Sequence, residues 1–292
     1  MFSFVGCVLR KIIPMLQFVA GVVGLVSQSF AYVPPAEQIF SLMPHQKHQD
    51  IHVLVLTLET TFYGEEWPEG AMTVTETVCY RYPDRFLSKI TVPSGDKVYF
   101  VQGEASLITI DQKIISEERS PMDAYKDLFL YRSPESIIYH LSKAGINTNT
   151  VSFGRLGNKI AYVIGAMYPD ESHPQVWVEK DTFRPLRLFF PRSDTSAKID
   201  IRYDHYFSIG GGMWYPGRVT FYKGDEPVKE QVLKTYNSSS ADDAFPEYLF
   251  DIEELKKIYT SVMEPGHKDE ASPVPELDDV KRTIDDFQKV FE

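Results

Sequence analysis

The chain has 292 residues, 30 Lys and Arg against 41 Asp and Glu, and a formal net charge of −11. It is long enough for one large domain and too acidic for the basic footprint that nucleic-acid binding needs. The same charge sets it against anionic membrane surfaces.

Residues 1–31 read as an address and not as part of a fold. Arg10 and Lys11 form a basic start, Ile12 to Val26 is apolar apart from Gln17, and Ser29-Phe30-Ala31 offers small residues where a signal peptidase reads them. The apolar run of about 15 residues falls short of the roughly 20 a spanning helix needs. Cleavage after Ala31 and export to the periplasm of a diderm bacterium are expected, with an uncleaved anchor as the alternative. Loss of Arg10 and Lys11 removes two positive charges and takes −11 to −13. The mature chain then keeps one cysteine, Cys79, which cannot form an internal disulfide and reads as a small buried hydrophobe. No second long apolar segment or internal repeat follows, so a soluble mature protein is expected.

Pro34 to Met43 reads as a short opening helix with prolines in its first turn. From Ile51 the period switches to two. Leu54, Leu56, Leu58 and Phe62 share one face, expected to lie beneath helices, while Thr57, Glu59 and Thr61 share the outer one. Met72 to Tyr82 repeats the alternation. Arg85–Val92, Lys97–Gln102, Ala105–Asp111 and Lys113–Glu117 extend the meander to six strands without a crossover helix, which argues against parallel architecture.

A helical insert follows. Met122 to Tyr131 is one candidate helix. Ser133-Pro134-Glu135 caps a second, which Gly145 ends. Strands resume at Thr150–Leu156 and continue through Lys159–Met167, Gln175–Glu179 and Pro185–Phe190, with turn chemistry at Lys180-Asp181-Thr182. Lys198–Ile209, Met213–Tyr222 and Val228–Tyr236 read as further strands, with Gly210-Gly211-Gly212 as a hairpin turn. Phe245–Tyr259 closes the domain and is helical from Ile252. Domain bounds are therefore 1–31 leader, 32–260 main domain, 261–275 linker with four Pro or Gly residues, and 276–292 an acidic C-terminal helix with one apolar stripe.

Three blocks carry a family resemblance. VWVEKDTFRPLRL, from Val176 to Leu188, resembles the strand–turn–strand hairpin of LolA/LolB-like lipoprotein carriers. YRYPDRFLSKITVPSGDKVYFVQGEASLITID, from Tyr80 to Asp111, is similar to that family's proline-kinked strand and following hairpins, and YFSIGGGMWYPGRVTFY to a later strand. The resemblance spans most of residues 36–252 in order. It implies an α+β, mainly β fold: a single antiparallel sheet curled into an incomplete, half-open β-barrel covered by helices. It also implies a periplasmic carrier holding a lipoprotein acyl chain or another lipid-like ligand, acting as a monomer with an inner- or outer-membrane protein as donor or acceptor. One departure stands out. The family's arginine before the proline, which helps hold the covering helices shut, is here Tyr82, with Arg81 on the opposite strand face.

An acyl-chain site needs an apolar concave lining, because each CH₂ left in water costs about 0.8 kcal/mol. The candidate lining residues are Leu54, Leu56, Leu58, Tyr80, Tyr82, Phe86, Tyr162, Trp177, Phe189 and Trp214; Tyr99 and Phe100 are further aromatics on predicted strands. Each aromatic also reads as ordinary core. The only metal-like cluster, His45, His48, Asp50 and His52, straddles a helix–strand junction and reads as solvated histidines. There is no nucleophile elbow, phosphate loop or zinc-protease motif, and no carboxylate pair can be nominated as acid and base. The expectation is a binding protein without cofactor, metal or enzymatic activity. An exported protein-interaction or envelope-sensing module on the same scaffold is the alternative, and an enzyme ranks third.

Overall fold

The computed structural model describes residues 32–44, 51–65, 67–92, 95–193, 197–210, 212–237 and 245–261. The expected leader, the linker past Ser261, the C-terminal helix, and His45, His48 and Asp50 lie outside the described residues.

Helix α1 (Ala36–Ser41) starts after Pro35, whose extended backbone and missing N–H suit that position, and buries Ile39 and Phe40. Strand β1 (Val53–Tyr63) keeps the expected alternation. Leu54, Leu56, Leu58, Thr60 and Phe62 are buried, whereas Glu59 is exposed. The meander continues through β2 (Ala71–Arg81), β3 (Arg85–Val92), β4 (Gly95–Gln102), β5 (Ala105–Ile110) and β6 (Lys113–Ser116). A 3₁₀ segment, Pro121–Lys126, runs into α2 (Asp127–Leu130), so the helix expected over Met122–Tyr131 is two shorter pieces. Helix α3 (Pro134–Lys143) is capped by Ser133, whose hydroxyl accepts from the Ser136 amide at 3.1 Å.

The second meander is β7 (Val151–Leu156), β8 (Lys159–Ile164), β9 (Gln175–Glu179), β10 (Pro185–Phe190) and β11 (Ile199–Asp204). The expected continuous strands Lys198–Ile209 and Met213–Tyr222 are each broken. His205 turns to a φ of 52°, and β12 (Phe207–Ser208) pairs with β13 (Trp214–Tyr215) as a separate hairpin. Gly217 permits the break: its amide bonds the His205 carbonyl at 3.0 Å, and a Cβ there would run into that oxygen and the Phe207 ring. Strands β14 (Arg218–Lys223) and β15 (Glu226–Asn237) complete the run. Helix α4 (Ile252–Ile258) then leads into β16 (Thr260–Ser261), which pairs with Lys113 and Ile114 of β6. Ser261, expected to begin the linker, is thus part of the sheet.

The strand order is β16-β6-β5-β4-β3-β2-β1-β15-β14-β11-β10-β9-β8-β7. Every pairing is antiparallel except β16 with β6. Two local meanders meet at one long-range seam, β1 against β15, which carries a bulge beside Thr57 and Leu58. The sheet ends at β16 and β7 without joining them, so the barrel is incomplete, and the fold class expected from the sequence is the one observed.

One inner core gathers α1, α2 and α3 against both halves of the sheet. Ile39, Phe40, Leu54, Leu56, Leu128, Phe129, Ile137, Val176, Leu188 and Phe221 all belong to it. Edge-to-face pairs tie the covering helices down, Phe129 on Tyr203 at 5.6 Å and Tyr125 on Phe221 at 5.2 Å. The outer face of β2–β6 has its own cover: Phe245, Phe250, Ile252 and Leu255 pack on Cys79, Leu87, Phe100 and Leu107. Cys79 is buried there, as its strand context implied.

Candidate functional site

Strand register sets up the site. Leu58, Glu76, Ile90, Lys97 and Ile110 are consecutive partners across β1 to β5, and Leu56, Val78, Ser88, Tyr99 and Ile108 form the next row. Both rows lie on the inner face. Between them and the segment 115–125 is a cavity of about 320 Å³. Ile90, Ile108, Ile110, Ile115, Met122, Val228 and Phe221 supply its apolar walls, and Tyr99 and Tyr125 its aromatic ones. Glu76, Lys97, Glu118, Arg119, Asp123 and Lys229 also reach it, three acidic and three basic side chains.

Glu76 is buried, yet its carboxylate is fully provided for. It accepts from Ser88 Oγ at 2.5 Å, Thr60 Oγ1 at 2.6 Å and Gln231 Nε2 at 2.7 Å. Burial pushes its pKa up, but the Lys229 charge and these three donors outweigh that and leave it below the ordinary value. Lys97 is also buried; burial first, and then the nearby Lys229 charge, push its pKa well down. Lys229 lies over the rings of Phe221 at 4.8 Å, Tyr125 at 5.6 Å and Phe62 at 5.9 Å. Tyr99 is 7% exposed, and its hydroxyl has no hydrogen-bond partner among the described residues.

The covering segment is pinned at several points. Ser120 accepts from the Met122 amide at 3.2 Å, and Asp123 accepts from the Ser120 amide at 2.9 Å, a reciprocal cap. Arg119 donates to the Gly103 carbonyl at 2.5 Å. Lys126 is wholly buried. It donates to the Asp123 carbonyl at 2.6 Å, lies 3.5 Å from the Asp127 carboxylate, and sits over Phe86 and Tyr99 at 5.5 and 5.0 Å. Just past α2, the Arg132 guanidinium stacks 3.3 Å from the centre of the Tyr82 ring. Arg81 points the other way, over Phe250 at 5.2 Å on the outer face. Tyr82 therefore does contact the covering segment, with the cation on the cover and not on the sheet. A second cavity of about 450 Å³ lies on the far side of the same segment. It shares Arg119, Ser120 and Asp123 with the first, and Lys126, Asp127, His140 and Lys143 are among its other lining residues.

None of the ten candidates expected from the sequence lines the apolar cavity. Leu54, Leu56, Leu58, Tyr80, Phe86 and Tyr162 are inner-core residues, and Tyr82 packs against them. Tyr80 shares a hydroxyl contact of 3.1 Å with Tyr215. Trp177 is turned to the outer face, in a small cluster with Ala161, Val163 and Leu186. Phe189, also on the outer side of its strand, lies 4.4 Å under Arg187, which forms a two-point bond to Asp200 at 2.8 and 3.0 Å. Trp214 is half-buried under Arg184 at 3.7 Å. Tyr99 is the expected strand aromatic that reaches the cavity. Glu76 and Lys97 were missed although a signal existed: each is a charge in phase with an apolar strand face, Glu76 with Val78 and Tyr80, Lys97 with Tyr99 and Val101.

Among the described residues, no group of three or more His, Cys, Asp or Glu is placed to hold a metal ion. None of their helices is long and apolar enough to cross a membrane.

No protein-family model matches the chain, and no curated protein matches it in sequence. Solved structures similar to it include a LolA superfamily protein from Nitrosomonas europaea, 14% identical with a TM-score of 0.48, covering 76% of this chain and 99% of that one. A domain assigned to outer-membrane lipoprotein sorting from Vibrio parahaemolyticus is 12% identical, with a TM-score of 0.48 and coverage of 76% and 99%. A DUF1329 family protein from Desulfovibrio piger is 12% identical, with a TM-score of 0.49 and coverage of 76% and 100%. Likeness at this level carries no inference about function.

Proposed function

We propose that this protein is an exported carrier or holder of a lipid-like hydrophobic ligand, bound between the inner sheet face and the segment 115–125. The observation that carries the reading is the 320 Å³ cavity with isoleucine, methionine, valine and aromatic walls, at the small end of the roughly 300–1,000 Å³ usual for small-molecule sites. That size suits one chain. Eight methylenes at about 0.8 kcal/mol each contribute roughly 6 kcal/mol, from which ordering and immobilising the ligand subtract at least about 4 kcal/mol. A bulkier cargo, such as a lipoprotein anchor, requires the segment 119–126 to move, because residues of that segment line both this cavity and the second one. The leader-like residues 1–31 and the sequence resemblance support export and carriage.

The mature chain should take up a fluorescent fatty-acyl probe in one saturable site. Met122→Glu, which places a carboxylate on the cavity wall beside Asp123, should weaken uptake at least about ten-fold with little change in melting temperature. Absence of saturable uptake by folded wild-type protein would move the reading to the interaction module.

A further inference from the structure

The apolar cavity opens beside the point where the described chain ends. Ile90 and Ile110 are buried in its walls, but Ile108, Ile115, Met122 and Val228 are only half-buried, so water reaches apolar surface there. The lining carries no net charge, because Glu76, Glu118 and Asp123 balance Lys97, Arg119 and Lys229. What it offers an occupant is apolar wall and not a charged seat. Strand β16 runs parallel to β6 and places Ser261 level with Ile114. It therefore heads along β6 toward Ile115, the next residue of that strand and a cavity wall.

The rest of the chain, residues 262–292, carries a matching surface. Leu277, Val280, Ile284, Phe287 and Phe291 recur at intervals of three and four, one apolar stripe on a helix, with Arg282 and Lys289 on the opposite face. Such a short helix gains its stability from packing. The inner core is already covered by α1–α3 and the outer face of β2–β6 by residues 245–258, whereas the cavity mouth is open. A coil of about 15 residues between Ser261 and the stripe spans roughly 20 Å, enough to fold back on a mouth that adjoins its start.

We propose that residues 276–292 dock their apolar stripe on Ile108, Ile115, Met122 and Val228, as a tethered plug that a ligand must displace. The docking stands on the position of β16 and the stripe alone; only the displaced ligand rests on the carrier reading above. Tethering favours the chain's own segment over a second copy, because a short linker holds it at an effective concentration of about 1 mM. A docking constant of about 0.1 mM then fills the mouth about ten-fold over and weakens a competing ligand by the same factor.

The test joins crosslinking to dye binding in the full-length mature protein. Phe287→p-benzoylphenylalanine should crosslink within the same chain to peptides holding Ile108, Ile115 to Met122, or Val228. Arg282→p-benzoylphenylalanine, on the opposite helix face, should not. Nile red affinity should rise about five- to ten-fold in Ile284→Asp and in Phe287→Asp, and stay within about two-fold of wild type in Arg282→Ala. Thermal melts check that each variant is folded, and the two stripe variants are independent. Crosslinks to the outer-face helix α4, crosslinks only between copies, or none at all overturn the docking and leave the carrier reading standing. Cavity crosslinks with unchanged dye affinity in both stripe variants overturn the plug. No dye binding by the wild type or by either stripe variant overturns the carrier reading, and the crosslinks then decide the docking by themselves.

Discussion

Glu76 is the residue whose replacement by its neutral isostere is most informative. Glu76→Gln keeps the shape but converts a carboxylate that accepts three hydrogen bonds into an amide with one acceptor and one donor. Hydrogen bonds to a charged group contribute about 1.5–3 kcal/mol, against about 0.5–1.5 kcal/mol between neutral groups. Three such exchanges remove roughly 3 kcal/mol, and with the amide oxygen kept on Thr60 and Gln231 the amide nitrogen faces Ser88, whose hydroxyl must turn from donor to acceptor. Relief of the carboxylate's own desolvation offsets part of this, so a net loss of about 2–3 kcal/mol is expected. In a domain of this size that lowers the melting temperature by roughly 4–12 °C. The pH dependence supplies the second readout. The Glu76 pKa is depressed in the folded state, so its stabilisation is fully present above the unfolded value of 4.5 and is lost as pH falls through the lower folded value. Urea unfolding at pH 7 and at steps below pH 4.5 should show the variant less stable at neutral pH, and the gap closing with acid. A variant as stable as the wild type at pH 7, or a gap that stays constant into acid, would refute the description of Glu76 as a charged, satisfied core group.

Leu56→Asp places a carboxylate among Leu54, Leu58 and the covering helices, where Leu56 is fully buried. It should cost at least about 4 kcal/mol; circular dichroism melts check this, and unchanged stability would contradict the inner-face assignment. Tyr82→Ala removes the ring under Arg132, a contact worth about 0.5–2 kcal/mol, and should speed amide hydrogen exchange across residues 119–132 more than in α4. Uniform exchange changes would mean that the pair does not hold the cover.

Much of the fold was legible because hairpins announce themselves locally. Alternation in β1, the Ser133-Pro134 cap and the turns between β3, β4 and β5 all fall where side-chain type and period put them. Facing was less legible. A strand records which residues share a side but not which side is concave, and here both sides of β2–β6 are covered, the inner by α1–α3 and the outer by residues 245–258. Trp177 and Phe189 looked like cavity aromatics because they sit in the most recognisable hairpin. That hairpin instead spends its large residues on an outer-face network with Arg187 and Asp200, which holds neighbouring strands in register. Lys97 and Glu76 escaped for the opposite reason: charged residues are usually read as solvent-facing, and only their phase with apolar neighbours betrays them. The breaks at His205 and Gly217 depend on the Phe207 ring of β12 approaching the backbone at Gly217, ten residues further along the chain, which no local pattern records.

The central claim is that a single chain lies between β2–β5 and the segment 115–125. Photo-crosslinking with a fatty acid carrying a diazirine near its tail, followed by peptide mapping of the folded wild-type protein, tests it most directly. The account predicts label on peptides containing Ile90, Ile108 to Met122, and Phe221 to Val228, abolished by excess dodecanoate. Label concentrated on Trp177, Phe189 or the outer-face helix α4, or label that excess dodecanoate does not compete away, would contradict it.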